Sequence, residues 1–480
     1  MFSFFKQPQK HTSPIYLYNT LTGEKERFSP MRKGEVRMYS CGPTVYGPQH
    51  IGNLRAAVFS DLLARTFKSA GYAVKRVTNI TDVGHLVGDG DEGEDKMTVG
   101  AKRDLLRPED VAAKYTAQYF EDIKELNIDT NDIEFPKATE YIQEQIKLIQ
   151  RLEKKGHTYR AEDGIYFDTA TFPDYGKLGG IATVKIKPGA RVQMVEGKKN
   201  IHDFALWRFS KKGDLQFWSS PWGPGNPGWS IECSAMAEAL LGETIDVHTG
   251  GEDHIGVHHN NEIAQSEGAN DRPLARVWMH NAFLTIEGEK ISKSLGNIFT
   301  LQDLKDKSFH PLAFRYLLLQ AHYKSPLSFS FEALGSSEEA LKRLWKAAYD
   351  LKKKTKGKGS NSDTKAKMEA LLRDDLQTPK ALALLWDTLS SLDLTDKEKW
   401  GVLESAEEVF GLLLTSPPEE VLPLSRKELP QEVQKLAEER ENARETRDFA
   451  KSDELRIHIE RSGYAVHDGP SETTYTKRAT

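Results

Sequence analysis

The chain has 480 residues, with 66 lysines and arginines against 71 aspartates and glutamates, a formal net charge of −5. That length allows roughly two to four domains, and the near-neutral balance means that any polyanion partner must be met by local basic patches. No apolar run approaches the roughly 18 residues that would span a bilayer, so no transmembrane helix is expected and a membrane partner is excluded.

Residues 1–14, MFSFFKQPQKHTSP, lack the continuous apolar stretch and small-residue cleavage site of a secretory signal. Cys41 and Cys233 are the two cysteines, too few for a disulfide framework, and the cytoplasm, where thiols serve as ligands or nucleophiles, is the expected compartment. EVRMYSCGPTVYG (35–47) is β-rich and ends at a glycine before a proline, and NLRAAVFSDLLARTFKSAGY (53–72) carries apolar residues at helical spacing. AVKRVTNITDVG (73–84) is β-rich again, so the three segments predict a right-handed βαβ unit and a parallel, nucleotide-binding type of sheet. Helical patterns follow over roughly 107–155, then a glycine- and proline-rich stretch at 173–228, then a buried strand opening into a loop at TIDVHTGG (244–251). From about Phe314 the pattern is helical. It is interrupted by the lysine-rich KKKTKGKGSNSDTKAK (352–367), read as a loop, and by TSPPEEVLPLSRKELP (415–430), which precedes a helix pair and a β-like tail. The fold class is α/β: a Rossmann-type parallel sheet over 1–313 with an insertion at about 130–228, a helical bundle over 314–415 and a small module over 430–480.

Cys41 at the end of the first strand, Cys233 in GWSIECSAMAEALL, and His258 and Glu262 in VHHNNEIAQSE complete a Cys, Cys, His, Glu set. The last two stand four apart, on one face if the segment is helical. Two thiolates, an imidazole and a carboxylate suit Zn²⁺ and disfavour Mg²⁺ or Ca²⁺. The four are scattered rather than grouped in CxxC pairs, so spacing leaves open a pair of inert buried thiols and a surface His/Glu pair.

PTVYGPQHIGN (43–53) places Gly47, Pro48, His50 and Gly52 between strand and helix, where backbone N–H groups and the helix dipole favour an anion. His50 and Asn53 can donate to a phosphate as pyrophosphate leaves, and Gly52 lets an adenine approach the backbone. In KISKS (290–294), Lys290 and Lys293 can clamp a triphosphate, the alternative being a solvated surface loop. TGGED (249–253) follows a predicted strand, so Asp253 can accept ribose hydroxyls.

HIGN at 50–53 and KISKS at 290–294, in this order, resemble the HIGH and KMSKS signatures of class I aminoacyl-tRNA synthetases. Within that class MYSCGPTVYGPQHIGN, NPGWSIECSAM, HHNNEIAQSE and EKISKSLGNIFT resemble the cysteinyl-tRNA synthetase pattern, which continues through DDLQTPKALALLWD to HDGP and covers nearly the whole chain. The resemblance implies one Zn²⁺ per chain on Cys41, Cys233, His258 and Glu262, with Thr44, Trp229 and His248 beside the cysteine substrate. ATP, accompanied by Mg²⁺, would be handled by His50, Gly52, Asn53, Asp253, Lys290 and Lys293. The implied reaction activates L-cysteine as its adenylate and transfers it to the 3′ end of tRNA(Cys). Coordination of the substrate thiolate would separate cysteine from serine without an editing site. By the same resemblance 1–313 is the catalytic domain, 314–415 holds a stem-contact region before the bundle, and 430–480 reads the anticodon through Arg444, Phe449, Asp453 and Asp468. A monomer is expected.

The chain departs from the pattern in places. Asn53 replaces the second histidine of HIGH and has no titratable group. Ile291 replaces methionine, Asn260 stands where many relatives have glutamate, and Ser230 where some have histidine. GHLVGDGDEGEDKMTVGAKR (84–103) replaces the family's DDKIIKRA and reads as a solvated loop. Two other readings are an ATP-dependent cysteine ligase acting on a small amine, which has no use for the 430–480 tail, and a non-catalytic RNA-binding paralogue, against which the intact HIGN and KISKS motifs argue.

Overall fold

The computed structural model describes residues 14–84, 96–179, 197–286, 289–290, 298–422, 424–469 and 473–477. The chain divides into two compact units. Met1–Asp303, Leu318–Ser330 and Ala370–Pro379 form the first, and Leu304–Leu317, Phe331–Glu369 and Lys380–Thr480 the second.

In the first unit a hairpin of β1 (Tyr16–Asn19) and β2 (Glu24–Arg27) leads into β3 (Glu35–Ser40), α1 (Ile51–Ser69) and β4 (Ala73–Thr78), with β3 and β4 parallel as the sequence predicts. α2 (Lys96–Asp104) and α3 (Pro108–Glu125) precede β5 (Ile133–Glu134). α4 (Ile142–Lys154) is followed by an antiparallel sheet of β6 (Thr158–Arg160), β7 (Gly164–Phe167), β8 (Phe204–Phe209) and β9 (Gly225–Pro227). α5 (Trp229–Leu241), β10 (Ile245–Gly251), α6 (His258–Asn270) and β11 (Ala275–Asn281) complete a five-stranded parallel sheet of order β11-β10-β3-β4-β5. β12 (Leu284–Ile286), β13 (Glu289–Lys290) and β14 (Leu327–Phe329) form a small mixed sheet, and α7 (Leu301–Asp306) and α8 (Pro311–Leu319) lie between β13 and β14 in the chain.

The parallel sheet is covered on both faces, so its strands are buried almost continuously rather than alternately. Val36 and Met38 of β3 pack with Phe59, Leu63 and Phe67 of α1. Tyr39, one residue on, belongs to the core formed with Met236 and Leu241 of α5 and Ile263 of α6. Each such large side chain contributes about 1.5–3 kcal/mol on burial. Neighbouring β3 and β10 connect onward in opposite directions, to β4 and to β11, which makes their C-terminal ends the switch point where open α/β sheets hold ligands.

In the second unit α9 (Phe331–Thr355) buries Leu334, Leu341, Leu344, Trp345, Ala348 and Leu351 along one face. α10 (Asp363–Arg373) and α11 (Thr378–Ser390) follow, and α12 (Asp396–Phe410) starts from a capping box of Thr395 and Glu398 and ends at left-handed Gly411. The C-terminal module pairs α13 (Gln431–Glu445) and α14 (Phe449–Arg461) with a hairpin of β15 (Tyr464–Asp468) and β16 (Thr473–Lys477) over Val433, Ala437, Ile459, Val466 and Tyr475.

Three local expectations change. The lysine-rich 352–367 is not a loop throughout, because α9 runs to Thr355 and α10 begins at Asp363: Leu351 and Thr355 are buried and extend the apolar face beneath the lysines. The segment 84–103 is not simply a solvated loop. Residues 85–95 lie outside the described residues, but Lys96–Asp104 is helical and buries Met97, Gly100 and Ala101. A β-carbon at Gly100 would stand 2.7 Å from the Tyr46 carbonyl oxygen, so glycine permits that approach. The helical pattern over 107–155 breaks where Leu126 closes α3 and Asn127 takes a positive φ, which frees the chain to add β5 to the sheet. Among the described residues no helix is long and apolar enough to cross a membrane.

Candidate active site

At the switch point Cys41 directly follows β3, and its backbone N–H donates to Thr249 O of β10 at 3.2 Å. Cys233 lies in the second turn of α5, and His258, His259 and Glu262 project from the first turns of α6. Donor atoms of Cys41, His258, His259 and Glu262 all fall within 4.8 Å of one another. Cys41 Sγ is 3.2 Å from His259 Nε2 and 3.6 Å from Glu262 Oε1, and His258 Nε2 is 3.1 Å from the same Oε1. Cys233 is buried in the core cluster against which Cys41 packs. Three of the four sequence-derived residues, Cys41, His258 and Glu262, are thus brought within reach of one ion, with Cys233 in the adjoining core and His259, which the sequence reading missed although it stands next to His258, as the fourth donor of the cluster.

These groups are charged where burial alone would neutralise them. Burial opposes ionisation of Glu262, but His248 and His258 overrule it and hold the carboxyl at about 2. Burial likewise opposes protonation of His258, yet its bonds to Cys233 and Glu262 carry it to about 10. Cys41 lowers Cys233, while burial and then Cys233 push Cys41 up. A thiol, two imidazoles and an ionised carboxylate converge without a lysine or arginine among them, beside the buried Cys233, and make a soft donor set that fits Zn²⁺.

Outer partners fix the donors. His248 Nε2 of β10 is 2.8 Å from Glu262 Oε2, and its ring stacks on Trp278 at 4.4 Å. Ser230 Oγ is 3.1 Å from His258 Nδ1 and accepts from Asn261 Nδ2 at 3.4 Å. His280 Nε2 is 2.8 Å from His259 Nδ1, and Thr20 Oγ1 is 2.8 Å from His280 Nδ1. Asn260 takes no part in this shell: its amide binds Leu178 N, Leu178 O and Ile255 O and ties backbone segments together. Trp229 opens α5 with its ring 4.3 Å from that of His258. Thr44 sits in an isolated β-bridge to Thr81.

The HIGN segment forms the entrance of α1. His50 is its N-cap, with Nδ1 accepting from Asn53 N at 3.2 Å, and no acidic residue occupies the first turn. Asn53 Nδ2 donates to Gln49 Oε1 at 2.7 Å, and Gln49 Nε2 donates to Thr44 O and Gly47 O, so Gln49, unremarked in the sequence, braces the loop. Gly52 is the second residue of α1, so its backbone belongs to the same helix entrance. Asp253 lies in a 3-10 turn after β10 with its side chain 47% exposed. Lys290 lies in β13, paired with Thr285, and Lys293 lies outside the described residues.

In the C-terminal module of the second unit, Phe449 is 65% exposed at the start of α14, and Asp453 is exposed one turn on, at i+4. Asp468 is a hub. Arg440 grips both its oxygens at 2.9 and 2.7 Å, Arg444 Nη1 is 2.7 Å from Oδ2, and Thr473 Oγ1 donates to Oδ1 at 3.2 Å. Arg440, which the sequence reading passed over, is almost wholly buried.

Residues 27–339 match the family model described as tRNA synthetases class I (C) catalytic domain. A cysteine–tRNA ligase of Burkholderia lata is 44% identical over 461 residues, which cover 95% of this chain and 96% of the relative. The chain belongs to the cysteine–tRNA ligase family. Cysteine–tRNA ligases of Treponema denticola, 41% identical over 96% of this chain and 99% of the relative, and of Thermus thermophilus, 42% identical over 95% and 97%, agree. Membership therefore extends through the C-terminal module as well as the sheet. Among solved structures, methionyl-tRNA synthetase of Mycobacterium tuberculosis with methionyl-adenylate aligns with TM-score 0.55 at 16% identity over 81% of this chain and 92% of that one. A LeuRS of Agrobacterium radiobacter, in ternary complex with tRNA, aligns with TM-score 0.58 at 12% identity over 82% and 86%. At those identities the likeness is of fold.

Proposed function

We propose that this chain activates L-cysteine with ATP and transfers it to the 3′ end of tRNA(Cys), holding one Zn²⁺ on Cys41, Cys233, His258 and Glu262. The convergence of Cys41, His258, His259 and Glu262 at the switch point, with Cys233 buried in the adjoining core, carries the reading. When bound, Zn²⁺ supplies a soft acceptor for a substrate thiolate, a role that the hydroxyl of serine fills poorly. Ser230 and His248 orient His258 and Glu262, and Trp229 and Thr44 wall the amino acid. The cysteine carboxylate attacks the α-phosphorus of ATP in line and pyrophosphate leaves. His50 and Asn53 at the α1 entrance, with Lys290 and Lys293, balance the charge that builds there, and Mg²⁺ accompanies the nucleotide. Gly52 admits the adenine and Asp253 accepts the ribose hydroxyls. The terminal ribose hydroxyl of tRNA then attacks the adenylate carbonyl and AMP leaves.

The anticodon reading rests on Phe449 as a stacking platform, with Asp453 beside it and Arg444 set by Asp468. Asp468 acts through its arginines, because Arg440 and Arg444 already engage its oxygens. Purified protein should contain one zinc per chain and charge cysteine tRNA in a cysteine- and ATP-dependent manner. Full zinc retention in Cys233→Ser would remove the metal assignment, and charging of a small amine in place of tRNA would favour the cysteine ligase reading.

A further inference from the structure

The activity above leaves unused a run of lysines at the α9–α10 junction. Lys352, Lys353 and Lys354 close α9, Lys356 and Lys358 follow, and Lys365 and Lys367 lie in α10, with Asp363 the one acidic residue of that segment in a chain of net charge −5. All of them except Lys365 are exposed. Among the described residues, Lys354 alone of the seven reaches a carboxylate, that of Asp396, and only at 4.0 Å. Lys352 Nζ is spent on the Thr415 carbonyl, and Lys353 lies 4.1 Å over the Tyr349 ring.

Solvated lysine loops are common, but this one is fastened. Thr355 Oγ1 donates to Leu351 O at 2.8 Å, Lys356 and Gly357 both take positive φ, and Ser360 N donates to Lys397 O at 3.0 Å. A β-carbon at Gly359 would stand 2.7 Å from Gly401 Cα, so glycine lets the turn seat against α12. The charges are therefore presented from a helix end and a pinned turn. Toward its N-terminus α9 adds exposed Lys342, Arg343 and Lys346, of which Lys342 is paired with Glu338 and Glu339. Lys342, Lys346 and Lys353 follow one helical face over about 16 Å. His467 of β15 feels the same field: burial lowers its imidazole, and Arg456, Lys342 and Lys346 lower it further against the pull of Glu339.

We propose that the basic face of α9 and the pinned 356–362 turn form a track for the phosphate backbone of tRNA, adding to affinity without taking part in adenylate formation. The inference rests on the tRNA-charging reading. A polyanion with regularly spaced charges fits exposed lysines that lack close carboxylate partners. No large apolar side chain is exposed between 342 and 367 among the described residues, which disfavours insertion into a lipid surface.

The test replaces Lys353, Lys354, Lys356 and Lys358 together by glutamine in the full chain and measures the Kd for purified cysteine-accepting tRNA from low to moderate KCl. The slope of log Kd against log salt should fall by about 2 or more, since each lost phosphate contact removes roughly 0.7–0.9. The tRNA KM should rise about tenfold, the four-arginine variant should retain the wild-type slope, and the melting curve and cysteine-dependent pyrophosphate exchange should stay as in the wild type. An unchanged slope overturns the track, as does loss of binding to phosphatidylserine vesicles with tRNA affinity intact. If the wild-type chain shows no cysteine-dependent exchange, the functional reading fails by itself, and the slope, read by direct binding, still decides the track.

Discussion

Ser230→Ala isolates how the candidate metal site is held. The hydroxyl is buried, 3.1 Å from His258 Nδ1, and accepts from Asn261 Nδ2 at 3.4 Å, while Asn261 keeps a second anchor by accepting from Tyr175 OH at 2.7 Å. Removing the hydroxyl therefore falls mainly on the imidazole, whose far nitrogen loses its partner in a site closed to solvent. Leaving one buried polar group unpaired costs about 1–3 kcal/mol. Loss of a partner behind a metal-binding histidine typically weakens the metal about 10- to 100-fold, or about 1.4–2.7 kcal/mol. The two estimates agree, so zinc affinity, read by competition with a chromophoric chelator at neutral pH, should fall by that factor. His258→Ala, which removes a donor outright, should fall further. An affinity within twofold of wild type would show that Ser230 does not orient His258. A loss as large as that of His258→Ala would mean that the pocket collapses rather than that a ligand loosens.

Lys293→Ala should slow cysteine-dependent ATP–pyrophosphate exchange by on the order of 100-fold or more, as loss of a contact to developing phosphate charge should; a change of a few-fold would reduce KISKS to a surface loop. Phe449→Ala should raise the tRNA KM about tenfold, in line with about 1–3 kcal/mol per stacked base, and leave exchange untouched. Equal charging by the variant would refute the platform. Asp468 is held at about 2, first by the Arg440 hydrogen bonds, against an ordinary value of 3.8. Its folded value being depressed, its stabilising contribution is complete above the ordinary value and is lost as pH falls through about 2. Hydrogen exchange across 431–477 should show the module loosening over that window in the wild type and a flatter response in Asp468→Asn.

What could be read from the sequence was whatever chain-local spacing encodes. The βαβ unit follows from a period change inside fifty residues, and the place of His50 between strand and helix follows from a glycine-flanked turn before an amphipathic run. The metal site is the opposite case. Cys41 and Glu262 are 221 residues apart, and only the adjacency of β3 and β10 brings them together, so the residues alone left inert thiols open and the family pattern had to supply the pairing. Composition misled where burial decides. The lysines at 352–354 read as a loop because their charge hides that Leu351 and Thr355 keep the buried face of α9 intact. The structure also gives Asp468 partners that the sequence did not show. Arg440 is almost fully buried, so its guanidinium must be neutralised inside the protein, and Asp468 is the carboxylate that does so. With both oxygens engaged, the carboxylate's remaining freedom lies in Oδ2, which it shares with the half-exposed Arg444. Any specificity at this position is therefore expressed through the guanidinium that Asp468 fixes, and a substitution there acts on the module's stability and on RNA recognition together.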